Sequence, residues 1–252
     1  MIGDAHLIAD SDPYRGVHER WAFFKSRWRS FQSLLAKVND ESPDMTILLG
    51  DLVDWFSPEN LTFGLDLVSE LRHPWQMTPG NYDIAALTGG FDQTDYGTSA
   101  SRERLSFWRG TDLSTRTVDI GDCRLVLLDS ALSDLVDGSD GWLREKLKGD
   151  QTNLLFTHVP VDTPETREYI LSVDAKRSMV KYVQRGAPDL FDYHVEGRIP
   201  HVFSGHLHFA GDLSRGDTRF HLCNMGITMH DPHRDQGAVA SATLVEGEGA
   251  TT

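Results

Sequence analysis

Four short apolar runs in this 252-residue chain break off almost at once into a polar cluster. Residues 45–49 lead into Gly50-Asp51-Leu52-Val53-Asp54, and residues 75–77 into Gly80-Asn81-Tyr82-Asp83. Residues 154–157 lead into His158, and residues 201–204 into Gly205-His206-Leu207-His208. Apolar runs of this length, bounded by Gly and Pro, read as buried strands. In open α/β sheets, ligands bind just beyond the carboxyl ends of strands, so the four clusters are expected to converge on one rim. A fifth cluster, Asp4-Ala5-His6, has only Met1 to Gly3 before it. A central strand usually needs about five residues, so the start reads as truncated or misassigned, with room for a missing targeting segment.

Between the strands the period changes to that of helices. Residues 18–38 carry Trp21, Phe24, Trp28, Phe31 and Leu35 at three- and four-residue spacing, the mark of an amphipathic helix. Residues 61–71 and 140–148 read as helices, and 164–183 as mostly helical. Residues 115–120 and 124–129 form an expected hairpin across Gly121-Asp122, and residues 219–224 and 238–244 are late strands. The early βαβα pattern and the later strands fit a four-layer α/β/β/α sandwich, two mixed sheets flanked by helices. Residues 1–245 are expected to form a single domain and 246–252 a flexible tail.

Composition narrows the function classes. The chain is 39% hydrophobic, which suits a globular core. The chain has no run of eighteen apolar residues of the kind that crosses a bilayer, and no signal peptide is visible. Cys123 and Cys223 sit inside apolar runs and read as buried thiols of a reducing compartment, so a cytoplasmic location is expected. The net charge of −14 argues against nucleic acid as a partner, because binding it requires Lys and Arg to displace counterions. A small anionic substrate stays open, because bound cations can reverse the local field. Only 6 lysines stand against 18 arginines, a balance that suits a high-salt setting.

The residue types in the five clusters are those a two-metal site needs. Carboxylate and imidazole suit Mn, Fe, Zn or Ni, and no thiolate takes part. An Asp can bridge two ions, and a His-x-His pair on extended chain sets both imidazoles on one side. Glycines at 50, 80 and 205 let the backbone turn sharply and approach an anion closely.

Taken in order, Asp4-x-His6, Gly50-Asp51-x-x-Asp54, Gly80-Asn81-x-Asp83, His158 and Gly205-His206-x-His208 resemble the calcineurin-like metallophosphoesterase family. The segments around Asn81, His158 and His206 look most like the branch that includes cyclic-nucleotide phosphodiesterases. The resemblance implies that Asp4, His6, Asp51 and His208 hold one of two metal ions. Asp51, Asn81, His158 and His206 would hold the other, with Asp51 bridging. It also implies a dinuclear phosphoesterase acting on a small phosphodiester or phosphomonoester, by in-line attack of a hydroxide held between the metals. Asn81, Tyr82 and Asp83 are the catalytic candidates, and Asp54 and Asp83 would orient ligands or Tyr82. Tyr82 stands where the family usually has His; it can donate a hydrogen bond but carries no positive charge, and losing such a group can cost about 10²–10⁴-fold in rate. The alternative is therefore a weakened binding or scaffold protein on the same fold.

Other features read as structural. The cations from Arg15 to Arg29, including His18 and Arg20, lie on the solvated face of the first helix, although Arg15 and His18 are near enough to the first motif to touch substrate. His230-Asp231-Pro232-His233 reads as a surface loop. His73, His194, His201 and His221 have no partner visible in the sequence. Substrate selectivity is expected in residues 83–109 and 129–141.

Overall fold

The computed structural model describes residues 1–17, 20–21, 28–88, 93–94, 99–108, 110–184 and 190–223. The start of the first expected helix, the strand at 238–244, the cluster at 230–233 and the tail at 246–252 lie outside them.

Helix α1 (Trp28–Glu41) buries Phe31, Leu34, Leu35 and Val38 along one stripe. Strand β1 (Thr46–Leu48) follows. Helix α2 (Pro58–Val68) opens earlier than its apolar residues suggest, because Ser57 caps it by accepting from Asn60 N and Pro58 takes the first turn. Strand β2 (Trp75–Met77) pairs with β1 in parallel. A two-rung ladder joins β3 (Leu87–Thr88) to β4 (Gln93–Thr94), and 3₁₀ turns run over Ser99–Phe107.

The hairpin forms as expected from β5 (Arg116–Ile120) and β6 (Cys123–Leu128). Next come α3 (Ser139–Lys146), β7 (Thr152–Thr157), α4 (Pro164–Val173) and the short α5 (Met179–Tyr182). A turn of π-helix at Phe191–Val195 precedes β8 (His201–Ser204), β9 (Gly211–Arg215) and β10 (Thr218–Leu222). Strand β9 goes unmarked in the sequence because, as an antiparallel edge strand, it alternates polar residues with Leu213. The mostly helical stretch expected over 164–183 is broken at Asp174, whose carboxylate accepts from Lys176 N at 3.1 Å, a local turn that competes with the helix.

Strand parity builds the layers. In β1, Ile47 points one way, with Leu49 just beyond the strand on the same side, and both meet Leu125, Leu127, Leu154, Phe156 and Phe203 of the six-stranded sheet ordered β5-β6-β7-β8-β10-β9. Phe156 and Phe203, in register on β7 and β8, stack with centroids 5.0 Å apart. On the outer face of the small sheet, Leu48 and Met77 pack on Phe31, Leu35, Leu67 and Val68 from the two helices. On the outer face of the large sheet, Val126, Leu128, Leu155 and Val202 pack on Leu143, Phe191 and Val195. The result is helix, small sheet, large sheet, helix. The large sheet is mixed, while the described pairs of the small one are parallel.

In the short stretch ahead of Asp4, Ile2 pairs in parallel with Leu48, and beyond the motif Leu7 pairs with Val53, both as isolated pairings beside residues 47–54. Asp4 N donates to Gly50 O at 3.2 Å and His6 N to Asp51 O at 2.9 Å. The first motif thus lies inside the pairing, next to the second. The four unassigned histidines also have partners. His73 meets Thr46 Oγ1 at 2.6 Å and His194 meets Asp140 at 2.8 Å. His201 meets His221 at 2.9 Å, and His221 meets Asp212 at 2.7 Å.

Candidate metal centre

The backbone at the site is locally unusual. Seven described non-glycine residues have positive φ, and five of them are Asp4, His6, Asp51, His206 and His208. Asp and His tolerate this left-handed region better than most residues, but each still stores strain of order 1–3 kcal/mol. The glycines make room for it. A Cβ on Gly80 would lie 2.1 Å from Asp51 Oδ1, and one on Gly205 would lie 2.7 Å from Asp4 Oδ2. One on Gly50, itself at φ +86°, would lie 2.7 Å from His158 Nδ1.

Six of the seven expected ligands fall into two groups whose donor atoms lie within 4.8 Å of one another: Asp4, His6, Asp51 and His208, then Asp51, His158 and His206. Asp51 belongs to both. The seventh, Asn81, adjoins the second group, its Oδ1 3.2 Å from His158 Nε2.

Three imidazoles are held by their outer nitrogen, which leaves the inner one to face the group. His6 Nδ1 is 2.8 Å from Asp54 Oδ1, with Nε2 facing His208 Nε2 at 3.0 Å. His158 Nδ1 donates to Leu49 O at 2.7 Å. His206 Nε2 donates to Lys181 O at 2.9 Å, and its Nδ1 lies 3.1 Å from His158 Nε2. Asp51 Oδ1 accepts from Tyr82 N at 2.9 Å. Asp51 Oδ2 is buried, has no hydrogen-bond partner among the described residues, and lies 3.3 Å from His158 Nε2 and 3.8 Å from His6 Nε2. An orphaned carboxylate oxygen between imidazoles of both groups fits a shared cation ligand, so the donor set suits two hard or borderline cations.

The charges fit the same reading. Burial favours the neutral form of Asp51, yet His158 and His6 hold its carboxyl far below the usual range. Burial also works against Asp4, which the hydrogen bond and charge of His208 bring below its ordinary value. His158 is pulled down by burial but raised to about 9 by Asp51. Burial and the charge of His158 push His206 down to about 4.

Asp54 holds the His6 ring, a candidate ligand, and is itself gripped by Arg20, whose Nε donates to Oδ2 at 2.9 Å. Asp83 holds backbone on the far side of the Asp51 loop. It is fully buried and accepts from the backbone N–H groups of Gly80, Asp51, Leu52 and Val53 at 2.8–3.2 Å. It braces the Asp51 loop from behind, while burial and the neighbouring Asp51 charge raise it to about 7.

Tyr82 lines a cleft of about 460 Å³ over the two groups, with Asp51, Asn81, His206 and His208 in its floor. Arg20, expected on the solvated face of a helix, lines it too, its guanidinium 4.4 Å over the Tyr82 ring. Nothing in the local sequence separates Arg20 from its basic neighbours. The opposite wall is Ala131–Ser133 and the Arg177–Tyr182 segment, which the break at Asp174 turns toward the site. Arg15 does not line this cleft, and His18 lies outside the described residues.

Comparison with known proteins agrees with this geometry. The sequence profile of the calcineurin-like phosphoesterases matches residues 1–210. A glycerophosphodiester phosphodiesterase, GpdQ, from Enterobacter lignolyticus (strain SCF1) is 28% identical over 129 residues, which are 48% of this chain and only 43% of that protein. A dimetal phosphatase from Danio rerio superposes with a TM-score of 0.56 at 14% identity, over 89% of this chain and 86% of that one. The phosphopantetheinyl hydrolase PptH from Mycobacterium tuberculosis gives 0.52 at 14% identity, over 98% and 97%. At such identities the likeness to both structures is one of fold. Among the described residues no helix is long and apolar enough to cross a membrane.

Proposed function

The chain belongs to the calcineurin-like phosphoesterase family, and from that premise we propose that it hydrolyses small phosphodiesters at a pair of bound cations. The observation that carries this reading is Asp51 Oδ2, a buried carboxylate oxygen with no hydrogen-bond partner among the described residues, facing imidazoles of both ligand groups. Asp4, His6, Asp51 and His208 would hold one cation, and Asp51, Asn81, His158 and His206 the other. Mn, Fe, Zn and Ni all suit these donors. When bound, such a pair acidifies water and neutralises charge on phosphate oxygens.

The chain's own side chains supply the rest. Asp54, Leu49 O and Lys181 O fix the three imidazoles, so the site is formed before substrate arrives. Arg20, locked by Asp54, sets a permanent cation at the cleft beside Tyr82, where charge builds on a reacting phosphate. The Tyr82 phenol, at the cleft over the two groups, can offer a hydrogen bond to the leaving oxygen. Asn81 turns its amide toward the same floor. The match to a glycerophosphodiester phosphodiesterase supports a diester over a monoester. Cys123 and Cys223 are free thiols, in keeping with a reducing compartment.

Manganese-loaded protein should hydrolyse bis-(4-nitrophenyl) phosphate faster than 4-nitrophenyl phosphate, and a chelator should abolish both activities. Asp51→Ala should lower the diester rate by about 10³-fold or more. If neither ester is cleaved and Tyr82→His restores turnover, the weakened scaffold is the better description.

A further inference from the structure

The cleft wall facing Tyr82 carries two cations that the reaction above does not use. Arg177 lies with its guanidinium 4.3 Å over the Tyr182 ring and 5.3 Å from Phe209. Its one acceptor among the described residues is Asp174 Oδ2, met by Nε at a long 3.4 Å. Its terminal N–H groups therefore meet no protein acceptor there, although the side chain is only 18% exposed. Lys181 is exposed, and its ammonium group has no acceptor among the described residues. Its backbone is pinned, however: Lys181 O accepts from His206 Nε2 at 2.9 Å and from Ser133 Oγ at 3.5 Å. Both cations line the cleft above the ligand groups, in a chain whose net charge is −14.

We propose that Arg177 and Lys181 form an anion subsite for a second charged group of the substrate, so that preferred substrates carry a carboxylate or phosphate in addition to the scissile phosphoester. This rests on the phosphoesterase reading. Tyr182 is not a free platform for a planar base, because Arg177 covers one face and the His206 ring crowds it at 5.3 Å. It supports the cation instead, holding the guanidinium plane in place so that little freedom is lost when an anion docks. The second anion would sit about one aromatic ring from His206, across Tyr182.

Calorimetry on manganese-loaded protein tests this with three probes: phenylphosphonate, 4-carboxyphenylphosphonate and 1,4-phenylenediphosphonate. The second anion should tighten binding about tenfold, the size expected for one or two charge-assisted contacts at a partly wet site, and added salt should reduce the gain. The two charged probes tell a carboxylate preference from a phosphate one. Lys181→Glu, at an exposed position that leaves packing alone, should remove or reverse the gain. Arg177→Gln with Lys181→Gln should erase it. Equal affinity for all three probes, no binding of any, or a gain that survives the double substitution would overturn the subsite. Turnover of bis-(4-nitrophenyl) phosphate is measured alongside. A binding gain without turnover sinks the phosphoesterase reading and leaves the subsite, and turnover without a gain does the reverse.

Discussion

The two sheets reach the same cleft by different means. The large sheet sends its ligands directly off strands: His158 follows β7, and His206 and His208 follow β8, strands four to six residues long with ladder partners on both sides. The small sheet has three-residue strands, and its neighbour, the segment from Ile2 to Leu7, pairs through isolated bridges. There the ladder is too short to hold a loop, and side-chain carboxylates do the holding. Asp83 takes four backbone N–H groups, Asp12 ties Trp55 Nε1 at 3.1 Å and Ser57 Oγ at 2.6 Å, and Asp54 fixes His6. A site half built on ladders and half on buried acids should fail in two distinct ways.

The sharpest test sets Asp83→Ala against Phe156→Ala. Removing Asp83 strands four buried donors and should cost about 4 kcal/mol, with a marked loss of cation affinity because the Asp51 loop relaxes. Removing Phe156 opens a cavity between the sheets at about 3 kcal/mol, but should leave cation binding within a few-fold. Denaturant midpoints and metal titrations read both, and equal losses of cation affinity would break the contrast. A smaller difference is expected between two glycines. Gly80→Ala drives a Cβ onto backbone and carboxylate atoms of Asp51, whereas Gly211→Ala meets only the Tyr169 ring, at 2.3 Å. The first should cost about 3 kcal/mol and the second about 1, since a half-buried ring can swing aside.

The smallest effect is a proton count on the large-sheet side. With its pKa raised to about 9 by Asp51, His158 carries a proton at pH 7 that a cation must displace. Cation loading should therefore release about one proton at pH 7, and fewer as pH rises past 9. Apparent affinity should climb across that interval. Calorimetry in buffers of different ionisation enthalpy measures the release. An unchanged proton count from pH 7 to 10 would show that His158 is already neutral at pH 7 before a cation binds.

The same contrast governs what could be read from the chain itself. His158, His206 and His208 were legible because each follows an apolar run whose length and parity fix where it ends. Asp51 and Asn81 were legible for the same reason, and Asp4 and His6 through their motif, with only Met1 to Gly3 ahead of it. Asp83 was legible as a residue of the site, but its grip on the backbone N–H groups of the Asp51 loop was not, because a buried acceptor of backbone N–H groups and a catalytic acid look alike in one dimension. Arg20, Arg177 and Lys181 were illegible as cleft residues. Their positions depend on how connecting segments pack far from any periodic pattern, and on the helix break at Asp174.

The left-handed backbone at five candidate ligand positions bears on any attempt to move this candidate centre elsewhere. Transplanting Asp, Asn and His onto regular strand ends of another scaffold would reproduce the chemistry of the donors and miss their aim, because the chain's own handedness at those points sets the direction of each side chain. A successful graft would have to import the main chain together with the cramped glycines at 50, 80 and 205. Replacements at those five positions will accordingly be graded by shape of backbone as well as by charge: Asn and Gly keep the path, while Val or Ile would lose both ligand and path at once.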